Sequence, residues 1–154
     1  MKSTRSNRVP RDQARHAKAL GLAPVLALVA SLLCALPVIA APIDLSGRWL
    51  AEDIGGGGVI DRLQTVLEIR DDGAVSGSGG CNRFAGHAEI GDGTIRFGPI
   101  AGTKMMCPPA AMDQEMTFFA ALPQAASWRI DQQTRKLTLL DAEGRALVVF
   151  ASTD

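Results

Sequence analysis

Residues 79–108 read GGCNRFAGHAEIGDGTIRFGPIAGTKMMCP and contain the pattern of a β-hairpin with a cysteine near each end. The Gly-Asp-Gly at 91–93 supplies turn residues, and after it Ile95 and Phe97 alternate with Arg96 and a glycine. Alternation of apolar and polar residues beside a glycine-rich turn is typical of antiparallel strands with one buried face. The stretch therefore predicts two antiparallel strands joined by a tight turn.

The same arrangement recurs on both sides of this stretch. Residues 63–80 predict a strand, a turn at Asp-Asp-Gly and a second strand, and residues 127–153 predict three short strands with a turn at Asp-Ala-Glu-Gly. Residues 43–54 start with partial alternation and predict a first strand that places Trp49 in the core. Pairs of short strands around tight turns are typical of antiparallel β structure. We therefore expect a mainly β domain.

One segment departs from the two-residue period. Within residues 108–122, Met112, Met116 and Phe119 recur at helical spacing, and Leu122 follows three positions later. This spacing predicts a helix whose methionine and phenylalanine stripe packs in the core. A proline suits the first turn of the helix, and another proline ends it. The sequence therefore predicts one helix laid against, or plugging, a curved antiparallel sheet.

The first forty residues have the features of an export signal. Six basic residues precede an apolar run at 19–41, and Val38 and Ala40 fit the small-residue rule for secretory cleavage. We expect residues 1–40 to be a signal peptide. The alternative is an uncleaved membrane anchor, since a spanning helix needs about 20 apolar residues. A lipid anchor at Cys34 is disfavoured, because a bulky leucine precedes that cysteine.

Cleavage after Ala40 leaves residues 41–154, a length of 114 residues that suits one domain with one core. The whole chain has 16 basic and 16 acidic residues, whereas the cleaved chain has 10 and 15, a net charge of −5. A mildly acidic domain without clusters of basic and aromatic residues has no electrostatic reason to bind nucleic acid. We expect a protein of the periplasm or cell envelope that contacts the membrane only if residues 1–40 remain attached.

Cys81 and Cys107 are the two cysteines of the cleaved chain and lie 26 positions apart. In an exported domain of this size an even pair favours a disulfide, which would add about 3 kcal/mol to the free energy of unfolding. Free structural thiols are the alternative. A zinc site needs three or four ligands, and a nucleophilic cysteine needs an oriented base, but His87 is the one histidine nearby. We therefore expect no metal and no catalytic cysteine.

Asn82 and Arg83 directly follow the first cysteine and admit two interpretations. Asparagine is common in turns, where it hydrogen-bonds the local backbone, and an arginine beside it can be solvated or paired with an acid. Alternatively, the two residues form a polar recognition edge beside the cysteines. The chain has no phosphate-binding loop motif, no nucleophile-elbow motif and no carboxylate pair that the sequence places across a cleft.

Three segments together resemble the META domain family, also called HslJ-like, of bacterial envelope proteins: GSGGCNRFAG at 77–86, IRFGPIAGTKMMCPPAAMDQEMTFFAAL at 95–122 and LTLLDAEGRALVVF at 137–150. The resemblance covers about residues 45–151. It implies an open or cracked lipocalin-like barrel packed on a single α-helix. The residues that match the family signature are Gly80, Cys81, Asn82, Arg83, Gly86, Thr103, Cys107, Pro108 and Glu115.

The resemblance implies no established enzymatic activity and links some members to heat shock, antibiotic tolerance or secreted virulence-related proteins. We therefore expect a non-enzymatic, monomeric envelope domain, without a cofactor, that acts in stress tolerance by binding an envelope protein or a small ligand. His87 stands where the family more often has an aromatic residue, and Lys104 stands where arginine is commoner. These departures put in doubt any ligand contact made there by an aromatic ring or a guanidinium.

Two alternative functions follow from the implied shape. One is a carrier that encloses a small apolar ligand or lipid inside the barrel. The other is a protein-interaction module, such as an inhibitor or chaperone accessory, that uses an exposed sheet edge. The volume inside the barrel decides between them: if large side chains fill it, a carrier role is disfavoured. The candidates to fill it are Trp49, Phe97, Met112, Met116, Phe119 and Trp128.

Overall fold

The computed structural model describes residues 44–153 and contains nine strands, one α-helix and one 3-10 turn in this range. The short alternating segments form strands and the segment with helical spacing forms the helix, as expected. The elements are β1 Gly47–Ile54, β2 Val66–Ile69, β3 Ala74–Ser78, β4 Arg83–Gly91, β5 Thr94–Phe97, β6 Ala101–Gly102, α1 Pro109–Ala121, the 3-10 turn Leu122–Gln124, β7 Ser127–Asp131, β8 Lys136–Leu140 and β9 Ala146–Ser152.

The strands form one closed ring in which every pairing is antiparallel. Their order is β3, β2, β1, β9, β8, β7, β5 and β4, and β4 pairs back to β3. The shortest join is between β5 and β7, where Thr94 pairs with Ser127. β6 lies beyond β5 on the same edge of β4, and its two residues pair with Phe84 and Ala85. The expected mainly β, antiparallel fold with one helix is confirmed.

The turns that the sequence predicts join the hairpins. Gly73 and Gly93 have φ values of +81° and +71°, a conformation that favours glycine. In the turn between β8 and β9, the Asp141 carboxylate accepts hydrogen bonds from the N–H of Glu143 at 3.0 Å and from the N–H of Arg145 at 2.8 Å. Burial raises the pKa of Asp141, but the hydrogen bonds and charge of Arg145 outweigh it, so this pKa lies below its usual range.

Side chains fill the interior of the ring. Phe118 and Leu122 enter it from the helical segment and are completely buried, as is Phe150 of β9, whose ring centre lies 6.4 Å from that of Phe118. Trp49 and Trp128 are also buried, as expected. Full burial of one large apolar side chain stabilises a fold by about 1.5–3 kcal/mol. The helical segment therefore acts as a plug that contributes Phe118, Ala121 and Leu122 to the core.

The predicted core stripe of α1 is wrong for its two methionines, whereas Phe119 is partly buried against the core and Leu122 is completely buried. Met112 and Met116 are exposed, by 41% and 66%, whereas the buried residues of the helix are Ala111, Glu115, Phe118 and Ala121. The helix is turned so that Phe118 enters the ring and Glu115 reaches a loop that needs an acceptor. The true stripe contains a glutamate and two alanines, so hydrophobicity alone favoured the methionines.

Within residues 44–153 no helix has the length and apolar character required to cross a bilayer. Residues 1–43 lie outside the part of the chain that the structure describes. The signal peptide expected at residues 1–40 therefore stays a prediction.

Candidate functional site

A buried carboxylate organises the loop that joins β3 to β4. The side chain of Glu115 is 8% exposed, and its Oε2 accepts hydrogen bonds from the backbone N–H groups of Cys81, at 3.1 Å, and Asn82. Its Oε1 accepts a third bond from the side-chain amide of Asn82 at 2.7 Å. Hydrogen bonds to a charged group are worth about 1.5–3 kcal/mol each. Glu115 therefore fixes this loop to the helix.

The other end of the Asn82 side chain holds the segment after β6. Asn82 Oδ1 accepts hydrogen bonds from Thr103 Oγ1 at 2.8 Å and from the N–H of Met105 at 2.6 Å. Thr103 Oγ1 in turn accepts the N–H of Arg83 at 3.2 Å. The Asn82 side chain thus continues the pairing of β4 with this segment on the N-terminal side of Arg83, the first residue of the strand.

The predicted disulfide is present and closes the same arrangement. Cys81 and Cys107 are bonded, with their Cα atoms 5.9 Å apart. Cys107 directly precedes Pro108, whose carbonyl accepts the N–H of Ala111 at 3.0 Å in the first turn of α1. The disulfide therefore fastens the loop to the start of the helix, while Glu115 fastens it nearly two turns further along.

Two glycines are required because neighbouring groups come close to them. A Cβ on Gly79 would lie 2.7 Å from Cγ of Glu115, and a Cβ on Gly86 would lie 2.9 Å from the backbone oxygen of Pro99. Contacts this short force the neighbouring group to move. Gly79 therefore admits the helix carboxylate, and Gly86, a signature position, admits the segment between β5 and β6.

A second polar residue of α1 holds the loop between β1 and β2. Gln114 Oε1 accepts the N–H of Ile60 at 2.7 Å, and Gln114 Nε2 donates to Thr65 Oγ1 at 3.0 Å. Thr65 Oγ1 donates to the carbonyl of Gly79 at 3.0 Å. Two consecutive helix residues thus connect both loops to the plug.

A mainly apolar groove of about 690 Å³ lies between α1 and the segment from Gly98 to Met106. Glu115 and Asn82 line it next to apolar side chains, and among residues 44–153 Lys104 is the one basic residue that lines it. The apolar residues that line it are Pro99, Ile100, Met105, Met106, Met112, Phe119 and Pro123. We call this feature the methionine groove.

All four methionines between residues 44 and 153 are exposed, although methionine is usually a buried residue. Met106 is 92% exposed and Met105 55% exposed, and both line the methionine groove together with Met112. Met116 follows Met112 by one helical turn but does not line the groove. The sequence pattern did not predict this surface. A cluster of all four of these methionines within residues 105–116 is the feature of the sequence that could have indicated it.

The backbone along the methionine groove is paired on one side. The N–H of Thr103 donates to a β4 carbonyl at 3.0 Å, and the N–H of Met105 donates to Asn82. Because successive N–H groups of an extended strand point to opposite edges, those of Gly102 and Lys104 point away from β4. Among residues 44–153, β6 has no strand partner other than β4. We call this outer side the open edge.

Arg83 and His87 lie on β4 outside the methionine groove. The Arg83 side chain is exposed and lines a shallow cleft of about 370 Å³ with Arg48, Glu68 and Ser76. His87 Nε2 lies 3.0 Å from the carbonyl oxygen of Asp72. Within residues 44–153 no group of three or more His, Cys, Asp or Glu side chains could hold a metal ion.

The predicted recognition pair therefore separates in the structure. Asn82 is 7% exposed with both ends of its amide engaged, whereas Arg83 contributes its backbone to the loop and its side chain to solvent. A recognition role for Arg83 stays a prediction. The residue pattern alone did not show the importance of the signature residue Glu115. In the sequence, a single glutamate on a helix cannot be told apart from one exposed to solvent.

Comparison with known proteins supports the fold and identifies the family. A solved structure described as the NMR structure of a protein is 25% identical, with a TM-score of 0.54, and the match covers 70% of this chain and 90% of that chain. An NMR structure of a protein from Burkholderia xenovorans is 20% identical, with a TM-score of 0.57 and coverage of 92% and 99%. No curated protein matches the chain. The sequence model of the META domain matches residues 42–154, and the chain therefore belongs to the META domain family.

Proposed function

We propose that this chain is a non-enzymatic binding domain that is exported to the cell envelope and acts in stress tolerance through the methionine groove. The observation that carries the proposal is the groove itself, an exposed, mainly apolar surface beside a segment fixed by Asn82, Glu115 and the disulfide. Exposed apolar surface of this kind is typical of interaction sites.

The character of the lining residues favours binding over catalysis. Methionine side chains are unbranched and polarisable, so they repack around different apolar partners. Glu115, whose carboxylate lines the groove, already accepts three hydrogen bonds from the loop. It is therefore occupied in holding the protein's own backbone.

Export and the role in stress tolerance rest on other observations. The basic and apolar start of the chain with its small-residue exit favours secretion. A disulfide persists in oxidising compartments such as the periplasm. The link to heat shock and antibiotic tolerance comes from the HslJ-like members of the family.

A carrier that encloses its ligand inside the ring has less support. Phe118, Leu122 and Phe150 are completely buried there and occupy the position of an internal ligand. A small apolar ligand would therefore have to bind in the methionine groove, outside the ring.

A complementation experiment tests the proposal. In a strain that lacks the native gene, Met112→Glu places a charge in the groove, and Met116→Glu places the same charge one turn away on the exposed face of the same helix. We expect Met116→Glu to restore survival of heat and antibiotic stress and Met112→Glu to fail at equal protein levels. Full rescue by both variants, or failure of both, would refute the groove as the working surface.

The same strain tests export. We expect protein isolated from the envelope to have the intact mass of a chain that starts at Ala41 or Pro42. Full-length protein in the membrane fraction would show that the apolar run at 19–41 acts as an anchor.

A further inference from the structure

We propose that the methionine groove binds an extended polypeptide segment, which adds as a strand to the open edge and carries an acidic side chain opposite Lys104. This inference rests on the proposed function and names the class of partner. The segment is recognised by its backbone and by apolar side chains.

The first support is the open edge. Along residues 101–105 the odd-numbered residues direct their backbone groups toward β4 and Asn82, so Gly102 and Lys104 direct theirs outward. An extended peptide can pair with such groups, because strand addition uses main-chain hydrogen bonds for affinity. Proteins can blunt an exposed edge by keeping the strand short, by placing a lysine, a proline or a bulge on it, or by covering it. β6 is short and Lys104 follows it, but among residues 44–153 no strand covers its outer side. Here the groove leaves space beside it.

The second support is that the edge is held in place before a partner arrives. Asn82 bonds Met105, Thr103 bonds β4, and the disulfide fixes Cys107. A partner strand therefore meets backbone that is already extended, which reduces the entropy lost on binding. The anchoring network thus does more than stabilise the fold, because it holds one edge of a short strand in a conformation that a partner strand can pair with.

The third support is the distribution of charge and apolar surface. Successive side chains of an added strand alternate between its two faces, so every second one can enter the apolar lining of Met105, Met112 and Phe119. The methionines tolerate different apolar side chains. Lys104 is exposed at the rim, whereas the Glu115 carboxylate is occupied by loop donors. The charge available to a partner is therefore positive and favours an acidic residue.

Synthetic peptides test the proposal on the purified cleaved domain. The probe is a fluorescein-labelled ten-residue peptide in which valine alternates with serine and one central serine is replaced by glutamate. One matched control carries glutamine in place of that glutamate. Two further controls are N-methylated at alternate residues, one at the odd-numbered and one at the even-numbered positions, so that each phase keeps the side chains and removes the donors of one edge. Fluorescence anisotropy gives each Kd.

We expect N-methylation in one of the two phases to raise Kd at least tenfold and the glutamine control to raise it about threefold. Equal binding of the parent peptide and both N-methylated phases would refute strand addition. No binding of the parent peptide at millimolar concentration would refute the polypeptide partner, while loss of complementation by Met112→Glu would still uphold the proposed function. Full rescue by Met112→Glu would instead refute the proposed function itself.

Two variants at one exposed position separate charge from backbone. Lys104→Gln removes the positive charge, and Lys104→Pro also removes the outward N–H at a residue whose φ is not positive. We expect Lys104→Gln to abolish the preference for glutamate over glutamine, and Lys104→Pro to weaken both peptides at least fivefold further. Unchanged affinity in a folded Lys104→Pro protein would contradict the proposal. If that variant does not fold, the N-methylated peptides decide the question.

Discussion

Replacing Glu115 by glutamine perturbs the anchoring loop with almost no change in shape. The carboxylate accepts two backbone N–H groups at one oxygen and the Asn82 amide at the other. Glutamine offers one oxygen and one NH₂ group, so in either orientation a donor faces a donor. Rotation of the Asn82 amide would relieve this conflict but would break its bonds to Thr103 and Met105.

The expected magnitude follows from that conflict. A buried donor left without an acceptor costs about 1–3 kcal/mol, and the remaining bonds lose the contribution of the charge. We expect Glu115→Gln to lower the free energy of unfolding by about 3 kcal/mol. At roughly 4 °C per kcal/mol for a domain of this size, the melting temperature should fall by about 12 °C.

Urea denaturation followed by tryptophan fluorescence measures this change, because Trp49 and Trp128 are buried in the native state. The matched control is Asp113→Asn, which removes an exposed carboxylate two residues earlier on the same helix and should change stability by less than about 0.5 kcal/mol. If the free energy of unfolding of Glu115→Gln lies within about 0.5 kcal/mol of the wild-type value, as expected for the control, the anchoring role is refuted.

The remaining predictions concern the disulfide, the β8–β9 turn and the glycine under the groove segment. Replacing both Cys81 and Cys107 by serine should lower the free energy of unfolding by about 3 kcal/mol, and adding reductant should then have no further effect in the same urea assay. The pKa of Asp141 is lowered in the folded state, so the ionised carboxylate stabilises the fold above about pH 4, and this stabilisation is lost as the pH falls through the folded pKa. Asp141→Asn should therefore flatten the acid side of a plot of melting temperature against pH, and an unchanged plot would contradict this. Gly86→Ala should destabilise the domain because its Cβ would meet the backbone oxygen of Pro99 at 2.9 Å, and a melting temperature equal to that of the wild type would show that the segment shifts freely.

Strands with one buried face were predictable, whereas the two exposed residues of β6 were not predicted as a strand. In β5, Ile95 and Phe97 are buried and Arg96 is exposed, so the two-residue period in the sequence follows the environment directly. Pairing of Cys81 with Cys107 was also predictable, since the expected compartment and the even count of cysteines favour it.

The methionine groove was not predictable from hydrophobicity. Polarity alone would place Met112 in the core and Glu115 in solvent, but the structure has the reverse. Glu115 is buried because it accepts hydrogen bonds from buried N–H groups, and Met112 lines an exposed groove. Only the contacts of the loop reveal that a buried acceptor is needed there. A binding surface breaks the rule that apolar residues lie inside, and such exceptions are expected at functional sites.

Amide hydrogen exchange along residues 101–105 of the free domain tests the central claim, a strand that is anchored on one side and open on the other. NMR resolves the exchange rate of each amide. The account predicts protected amides at Thr103 and Met105, which donate to β4 and Asn82, and nearly unprotected amides at Gly102 and Lys104. Fast exchange at all four would show that the segment is not anchored, and protection of all four would show that the edge is already occupied; either result would contradict the account.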